Sequence, residues 1–264
     1  MENFNYHRPA KLSDAVKAMK KAKDGRYLSG GMTLLPTMKL GLASPTDLID
    51  IGATKNMGVK VGPKSAAVLG GTPHADVAGD KALKKAIPGL SNLAGAIGDP
   101  HVRHRGTIGG SIANNDPAAD YPAACLGLGA TILTNARKIP ADKFFTGLFS
   151  TALKDDELVQ AVEFPIPKKS GYAKFPNPAS RFALVGVFVA QMGDGSVRVA
   201  VTGAGPGVFR VPEMEAALTK NFSAKALDGI AAKPRGLNSD MHASAEYRAH
   251  LIAVMAKRAV EAAK

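Results

Sequence analysis

The chain reads as an α+β protein in two units: an N-terminal one over residues 1–167, itself split into lobes of about 1–55 and 56–167, and a smaller C-terminal one over 168–264. Three features carry this reading. Strand-like and helix-like patterns alternate through the first fifty residues. The segment Pro165 to Pro178, PIPKKSGYAKFPNP, is rich in the residues that punctuate a chain and marks the boundary. Beyond it a long apolar run, a turn and an alternating run spell a hairpin, followed only by helical patterns.

Taken in order, the first lobe predicts strand, helix, strand, helix, strand. Ser13 stands where an N-cap belongs, ahead of Ala15, Val16, Ala18 and Met19 at helical spacing, and this helix ends near Gly25. Leu34 to Leu40 is helix-like, and Leu48 to Ile51 reads as a short strand. Two β-like runs lie between Val59 and Gly71, and Ala82 to Ile97, broken at Pro88 and Gly89, predicts two short helices. Arg105 to Asp120 is turn-rich, Tyr121 to Leu128 helical, and Ala130 to Leu133 and Leu158 to Phe164 strand-like. In the C-terminal unit Phe182 to Gln191, the turn Gly193-Asp194-Gly195, and Ser196 to Thr202 form the hairpin. Pro212 to Leu218, Ala224 to Ala232 and Ser244 to Ala263 then predict helices, the last turning Leu251, Ile252, Val254, Met255 and Val260 inward. Gly203-Ala204-Gly205-Pro206-Gly207 is an exit turn, because Pro206 removes a donor that a phosphate loop would use.

The richest stretch is RGTIGGSIANNDPAAD, Arg105 to Asp120. Gly109 and Gly110 lack a Cβ, so the backbone there is free to take positive φ and press amides against an anion. Thr107, Ser111, Asn114 and Asn115 add short hydrogen-bonding side chains, and Asp116 and Asp120 add acceptors. A second segment, Leu28-Ser29-Gly30-Gly31-Met32-Thr33-Leu34, carries a strand into a glycine pair and on into a helix. Two such turns suit the two phosphates of a dinucleotide. Neither has the G-x-G-x-x-G or G-x-x-x-x-G-K-[ST] spacing, which argues against the usual NAD and ATP folds.

Composition narrows the classes. An apolar fraction of 45% and a charged fraction of 21% belong to a globular chain with a sizeable core. No apolar run reaches bilayer-spanning length and no signal peptide is visible, so a cytoplasmic address is expected, with a peripheral place at the inner face of the cytoplasmic membrane left open. The single Cys125 excludes an internal disulfide and a four-thiolate cluster held by this chain alone, and the dispersed histidines, His101 and His104 included, complete no metal set. A net charge of +12 without a long basic tract and without Trp favours solvated helix faces and a docking surface over nucleic acid.

Together these segments resemble the flavoprotein (medium) subunit of the molybdenum hydroxylases, the group that holds aerobic carbon monoxide dehydrogenase and the FAD domain of xanthine dehydrogenase. The carriers are FNYHRPAKLSDAV (Phe4 to Val16), YLSGGMTLLPTMKLGLASPTDLIDI (Tyr27 to Ile51), GGTPHADV (Gly70 to Val77), DPHVRHRGTIGGSIANNDPAADYPAACLGLGA (Asp99 to Ala130) and ELVQAVEFP (Glu157 to Pro165). The likeness implies a two-lobed FAD-binding domain of the vanillyl-alcohol-oxidase/PCMH type, followed by a small α+β domain of the carbon monoxide dehydrogenase flavoprotein type.

Carried over by position, Leu28, Ser29, Gly30, Gly31, Met32, Thr33 and Leu34 would wrap the FAD pyrophosphate, with Thr33 as a side-chain donor. Thr107, Ile108, Gly109, Gly110 and Ser111 would form a second cradle over pyrophosphate and flavin, and Asp120 would bind a polar group of the cofactor. Ile97 and Val159 fall at apolar flavin contacts, and Lys174 falls where the family places a lysine near the rings. The chain departs from the family at Arg181 and Phe182, where the carbon monoxide dehydrogenase pattern has an acid and an aromatic hydroxyl residue. It departs again at Ser29 and Met32, where relatives often carry Ala and a polar residue.

The resemblance implies an electron-transfer subunit with no catalytic acid, base or nucleophile of its own. Its partners would be a large subunit with the molybdenum cofactor and a small iron–sulfur subunit with [2Fe–2S] clusters, in a dimer of heterotrimers, with quinone, NAD or oxygen as external acceptor. Two other classes compete: a stand-alone flavin oxidoreductase of related fold, and a basic scaffold protein that uses its glycine turns structurally.

Overall fold

The computed structural model describes residues 1–264. In the first lobe β1 (Asn5–His7), α1 (Leu12–Lys21), β2 (Gly25–Leu28), α2 (Leu34–Lys39) and β3 (Asp47–Asp50) follow in turn. The strands pair in parallel in the order β1-β3-β2, so both helices are crossovers. The expected alternation is present, but Ser13 is not the cap. The helix starts at Leu12 with Lys11 before it and no side-chain cap, because Leu12 packs on the Ala15, Met19, Ile49 and Ile51 cluster and draws the first turn forward.

The second lobe opens with β4 (Val59–Val61) and β5 (Ser65–Leu69) and continues through α3 (His74–Gly79), α4 (Lys81–Ala86), α5 (Pro88–Gly95), α6 (Pro100–Arg105), α7 (Ile108–Asn114) and α8 (Tyr121–Leu128). It closes with β6 (Thr131–Thr134), β7 (Lys138–Pro140), the small hairpin of β8 (Phe145–Gly147) and β9 (Ser150–Thr151), and β10 (Val159–Pro165). The antiparallel sheet has the order β4-β5-β10-β6-β7, which sets β5 beside β10 despite their distance in sequence. The turn-rich reading of Arg105 to Asp120 misses the helix α7 inside it. Arg105 ends α6, the glycine pair lies inside α7, and Asn115 terminates that helix in the left-handed region at φ +46°.

In the C-terminal unit β11 (Lys169–Pro176), β12 (Ala183–Gln191), β13 (Val197–Thr202) and β14 (Phe209–Arg210) form an antiparallel sheet in that order, with α9 (Pro212–Lys220) and α10 (Ala245–Ala262) on one face. Most of Pro165–Pro178 is therefore strand. β11 runs along a sheet edge, where proline is tolerated, and Gly171 is required because α10 crosses it: a Cβ there would strike the Ala259 carbonyl. β12 is buried on both faces. Val185, Val187 and Val189 meet α10, while Phe188 and Ala190 join the core of the second lobe against α8. This double burial is why the strand reads as one continuous apolar run.

Of the three C-terminal helices expected, Ala224 to Ala232 shrinks to one 3-10 turn, Ala224–Leu227, since Gly229 takes φ +76° and breaks the path. The last helix is as expected, capped by Ser244 on the Tyr247 amide, with Leu251, Ile252, Met255 and Val260 buried and Val254 half-buried. The glycine-rich Gly203 to Gly207 is an exit turn. Gly203, at φ +80°, donates to the Pro117 carbonyl and has no room for a Cβ.

Candidate functional site: a cleft between two glycine turns

The chain brings its two glycine turns into contact. The first leaves β2 and enters α2; the second joins α6 to α7. Ser29 Oγ lies 2.9 Å from Thr107 Oγ1. A Cβ on Gly30 would fall on the Arg105 carbonyl, so the backbones touch only because that position has no side chain. Gly31 holds φ +74° and turns the chain into α2. The amides of Gly30 to Thr33 donate to nothing in the chain, and Thr33 heads α2 without using its hydroxyl on the helix. A run of unpaired amides on a concave turn is an anion site.

The second turn is built differently from the sequence expectation. Gly109 and Gly110 have ordinary helical φ, and their amides are already engaged: Gly109 donates to the Gly70 carbonyl at 2.8 Å and Gly110 to Thr107 Oγ1 at 3.1 Å. The Ser111 amide donates to the Thr107 carbonyl at 2.9 Å. The second cradle is thus not a nest of free amides. Gly109 is glycine because a Cβ there would lie 2.6 Å from the Gly70 carbonyl oxygen, packing α7 onto the end of β5. Gly110 is glycine for another reason: it is exposed, meets only the Thr107 hydroxyl at 3.0 Å, and keeps the cleft floor flat. What this side offers a ligand is side chains, the Ser111 hydroxyl and the Asn114 amide, which make no hydrogen bond within the chain.

Between the turns runs a cleft of about 540 Å³. Of the residues expected at the site, Ile108, Asn115 and Lys174 do not line it, and Asn115 is buried with its side-chain amide donating to the Gly147 and Ser150 carbonyls. Ile108 turns into the core and is fully buried. Lys174 reaches the cleft only through Asp120: its Nζ lies 3.0 Å from Asp120 Oδ1 and donates to the Ala96 carbonyl at 2.7 Å. The Tyr172 hydroxyl donates to the same carboxylate. Burial raises the Asp120 pKa, opposed by the Lys174 ammonium and the Tyr172 hydrogen bond. Ile97 and Val159 form apolar walls, joined by Val102, Phe149 and Phe182. Of the departures at Arg181 and Phe182, Phe182 lines the cleft and is half exposed, and Arg181 stands beside it in the chain at φ +62°.

Sequence reasoning missed His74, Gly70 and the Phe149 hairpin. The signal for the first two is the third glycine pair, Gly70-Gly71, in GGTPHADV: a Cβ on Gly70 would meet the Val159 carbonyl, so this pair locks β5 to β10 under the cleft. His74 packs on Tyr121 with ring centroids 5.3 Å apart, and its Nδ1 and the Tyr121 hydroxyl are buried without partners. Burial lowers the His74 pKa to about 4, with the Arg103 charge adding to the effect. No signal in the sequence marks Phe149, which reaches the cleft from the β8–β9 hairpin.

Free amides on one turn, short polar side chains on the other and flat apolar walls beside them fit a ligand with a diphosphate next to a planar ring system. Comparison with known proteins agrees. The model of the FAD binding domain in molybdopterin dehydrogenase matches residues 2–167, and that of the CO dehydrogenase flavoprotein C-terminal domain matches residues 170–263. The nicotine 6-hydroxylase medium subunit of Paenarthrobacter nicotinovorans is 31% identical over 97% of this chain and 96% of its own length. The carbon monoxide dehydrogenase medium chain of Afipia carboxidovorans is 34% identical, over 99% of this chain and 97% of its own. Among solved structures, a chain of the carbon monoxide dehydrogenase of Hydrogenophaga pseudoflava that lacks the Mo-pyranopterin moiety superposes with a TM-score of 0.87 at 31% identity, covering 99% of this chain and 97% of that one.

Proposed function

This chain belongs to the family of FAD-binding medium subunits of the molybdenum hydroxylases, and from that premise we propose that it is the electron-exit subunit of such a complex. It would take electrons from the [2Fe–2S] clusters of a small partner subunit, filled by a large subunit that carries the molybdenum cofactor, and deliver them to an external acceptor. FAD, when bound, supplies the redox chemistry, receiving electrons and releasing them in pairs. Residues 1–167 would hold the cofactor and 168–264 would brace it. The carrying observation is the run of unpaired amides from Gly30 to Thr33 facing a polar-floored, apolar-walled cleft.

The chain's own residues bind and orient. The Gly30 to Thr33 amides and the Thr33 hydroxyl would hold the pyrophosphate, Ser111 and Asn114 would offer hydrogen bonds to polar groups of the cofactor, and Ile97, Val159 and Phe182 would give its ring system apolar contact. Asp120, fixed by Lys174 and Tyr172, accepts from a donor of the cofactor. No nucleophile or general base is required, since the chain's task is to keep an electron carrier at a fixed place and potential.

The test is spectroscopic. The purified chain should show a flavin absorption spectrum, and the assembly isolated with it should contain iron and molybdenum. A colourless protein would defeat the reading; a yellow protein that never travels with iron or molybdenum would leave a stand-alone flavoenzyme in its place.

A further inference from the structure

A second groove, of about 820 Å³, lies away from the cleft. One wall is the segment Pro206 to Glu213, which carries β14; the other is the irregular stretch from Gly229 to Leu237; the β8–β9 hairpin forms the floor. β14 ends the order β11-β12-β13-β14, so its outer edge has no neighbouring strand. Phe209 faces Val201, Arg210 faces Ala200, and the Val211 amide donates to the Val199 carbonyl at 3.1 Å. By antiparallel alternation Phe209 and the Val211 amide face β13, while the Val211 carbonyl accepts the Met214 and Glu215 amides of α9; Val208 and Arg210, both lining the groove, turn their main-chain groups away from β13. The Val208 amide donates to nothing in the chain. An open edge inside a groove is a template for one more strand.

The charges at the rim select what that strand carries. Lys233 and Arg235 are exposed and make no ion pair, whereas the Arg210 guanidinium is held by Glu215 at 2.6 Å. One acid, Glu213, faces these two free cations, in a chain of net charge +12. The floor connects the groove to the cleft: Asn115, which ends α7, donates to the Gly147 and Ser150 carbonyls at 2.9 and 2.7 Å, and Phe149 of the same hairpin lines the cleft. Resting on the reading of this chain as one subunit of a complex, we propose that the groove seats an extended, carboxylate-bearing segment of a partner subunit, added as a strand to the free edge of β14.

The experiment follows amide exchange at Val208 and Arg210 in the chain alone and in the assembly purified with its natural partners. A second sample carries Lys233→Glu with Arg235→Glu, both on exposed side chains. Exchange at the two amides should slow about tenfold or more in the assembly. The charge-reversed variant should retain its partners about tenfold less well, with flavin content unchanged. A flavin-loaded assembly whose β14 amides exchange at the free-chain rate overturns the docking and leaves the proposed function standing. Protection that grows with the concentration of the chain alone overturns it in favour of a second copy. A flavin-free chain without partners overturns both.

Discussion

Ser29 Oγ and Thr107 Oγ1 lie 2.9 Å apart, and the same Thr107 oxygen accepts the Gly110 amide at 3.1 Å, so one hydroxyl both caps α7 and ties it to the turn after β2. The two substitutions therefore separate. Ser29→Ala removes only the tie between lobes and should weaken flavin binding with little change in stability. Thr107→Val removes tie and cap together and should also cost about 1 kcal/mol of stability. Thr107→Ser should restore both. Flavin fluorescence titration and urea unfolding read the two effects independently.

Adjacent glycines should behave oppositely. Gly110→Val puts a branched side chain into the cleft, where only the Thr107 hydroxyl lies near, so the chain should fold and fail to retain flavin. Gly109→Ala adds one methyl against the Gly70 backbone and should lower the melting temperature before flavin is considered, because neither backbone has room to shift. Thermal melts of flavin-free protein beside flavin occupancy give the comparison. A Gly110→Val protein with full occupancy would remove this floor from the site.

Much of this was legible in the residues. The Gly30-Gly31 pair announced the first turn, the alternating first lobe followed from periodicity, and the hairpin of β12 and β13 from its apolar runs together with the Gly193-Asp194-Gly195 turn. What was not legible were the reasons for particular glycines. The sequence suggested positive φ for Gly109 and Gly110; the structure uses one for close packing and the other for open space, and only Gly31 of the four for backbone freedom. Local pattern cannot show which amides a distant carbonyl will occupy, and Gly70 takes the Gly109 amide from far back in the chain. The Phe149 hairpin was hidden for a similar cause. Its position depends on Asn115, whose side chain spends both donors on it.

His74 gives the acid limb of stability. Its pKa falls from 6.5 to about 4 on folding, so between those values the unfolded chain takes a proton that the native one refuses. Stability from this residue is full above about pH 6.5 and declines as the pH falls toward 4, by up to about 3 kcal/mol, and changes no further below that. His74→Phe keeps a ring against Tyr121 and removes the titration. Urea unfolding at pH 7 and pH 5 should show a smaller difference for the variant than for the parent; equal differences would mean that His74 takes its proton in the folded chain as easily as in water.

Lys174 and Asp120 decide whether the deep end of the cleft is scaffold or cofactor contact. Both side chains are nearly inaccessible, at 7% and 5% exposure, and the ammonium is the only cation on that carboxylate. Lys174→Met should therefore destabilise the protein by about 3–5 kcal/mol, the usual cost of leaving a buried charge unpaired. Asp120→Asn added to it should recover most of that loss, since the Tyr172 hydroxyl then donates to a neutral amide oxygen. Flavin affinity separates the two roles. If Asp120 accepts from the cofactor, the double variant will be stable and still bind flavin weakly, because the carboxylate is gone; if the pair only props β11 against α5, stability and flavin affinity will return together.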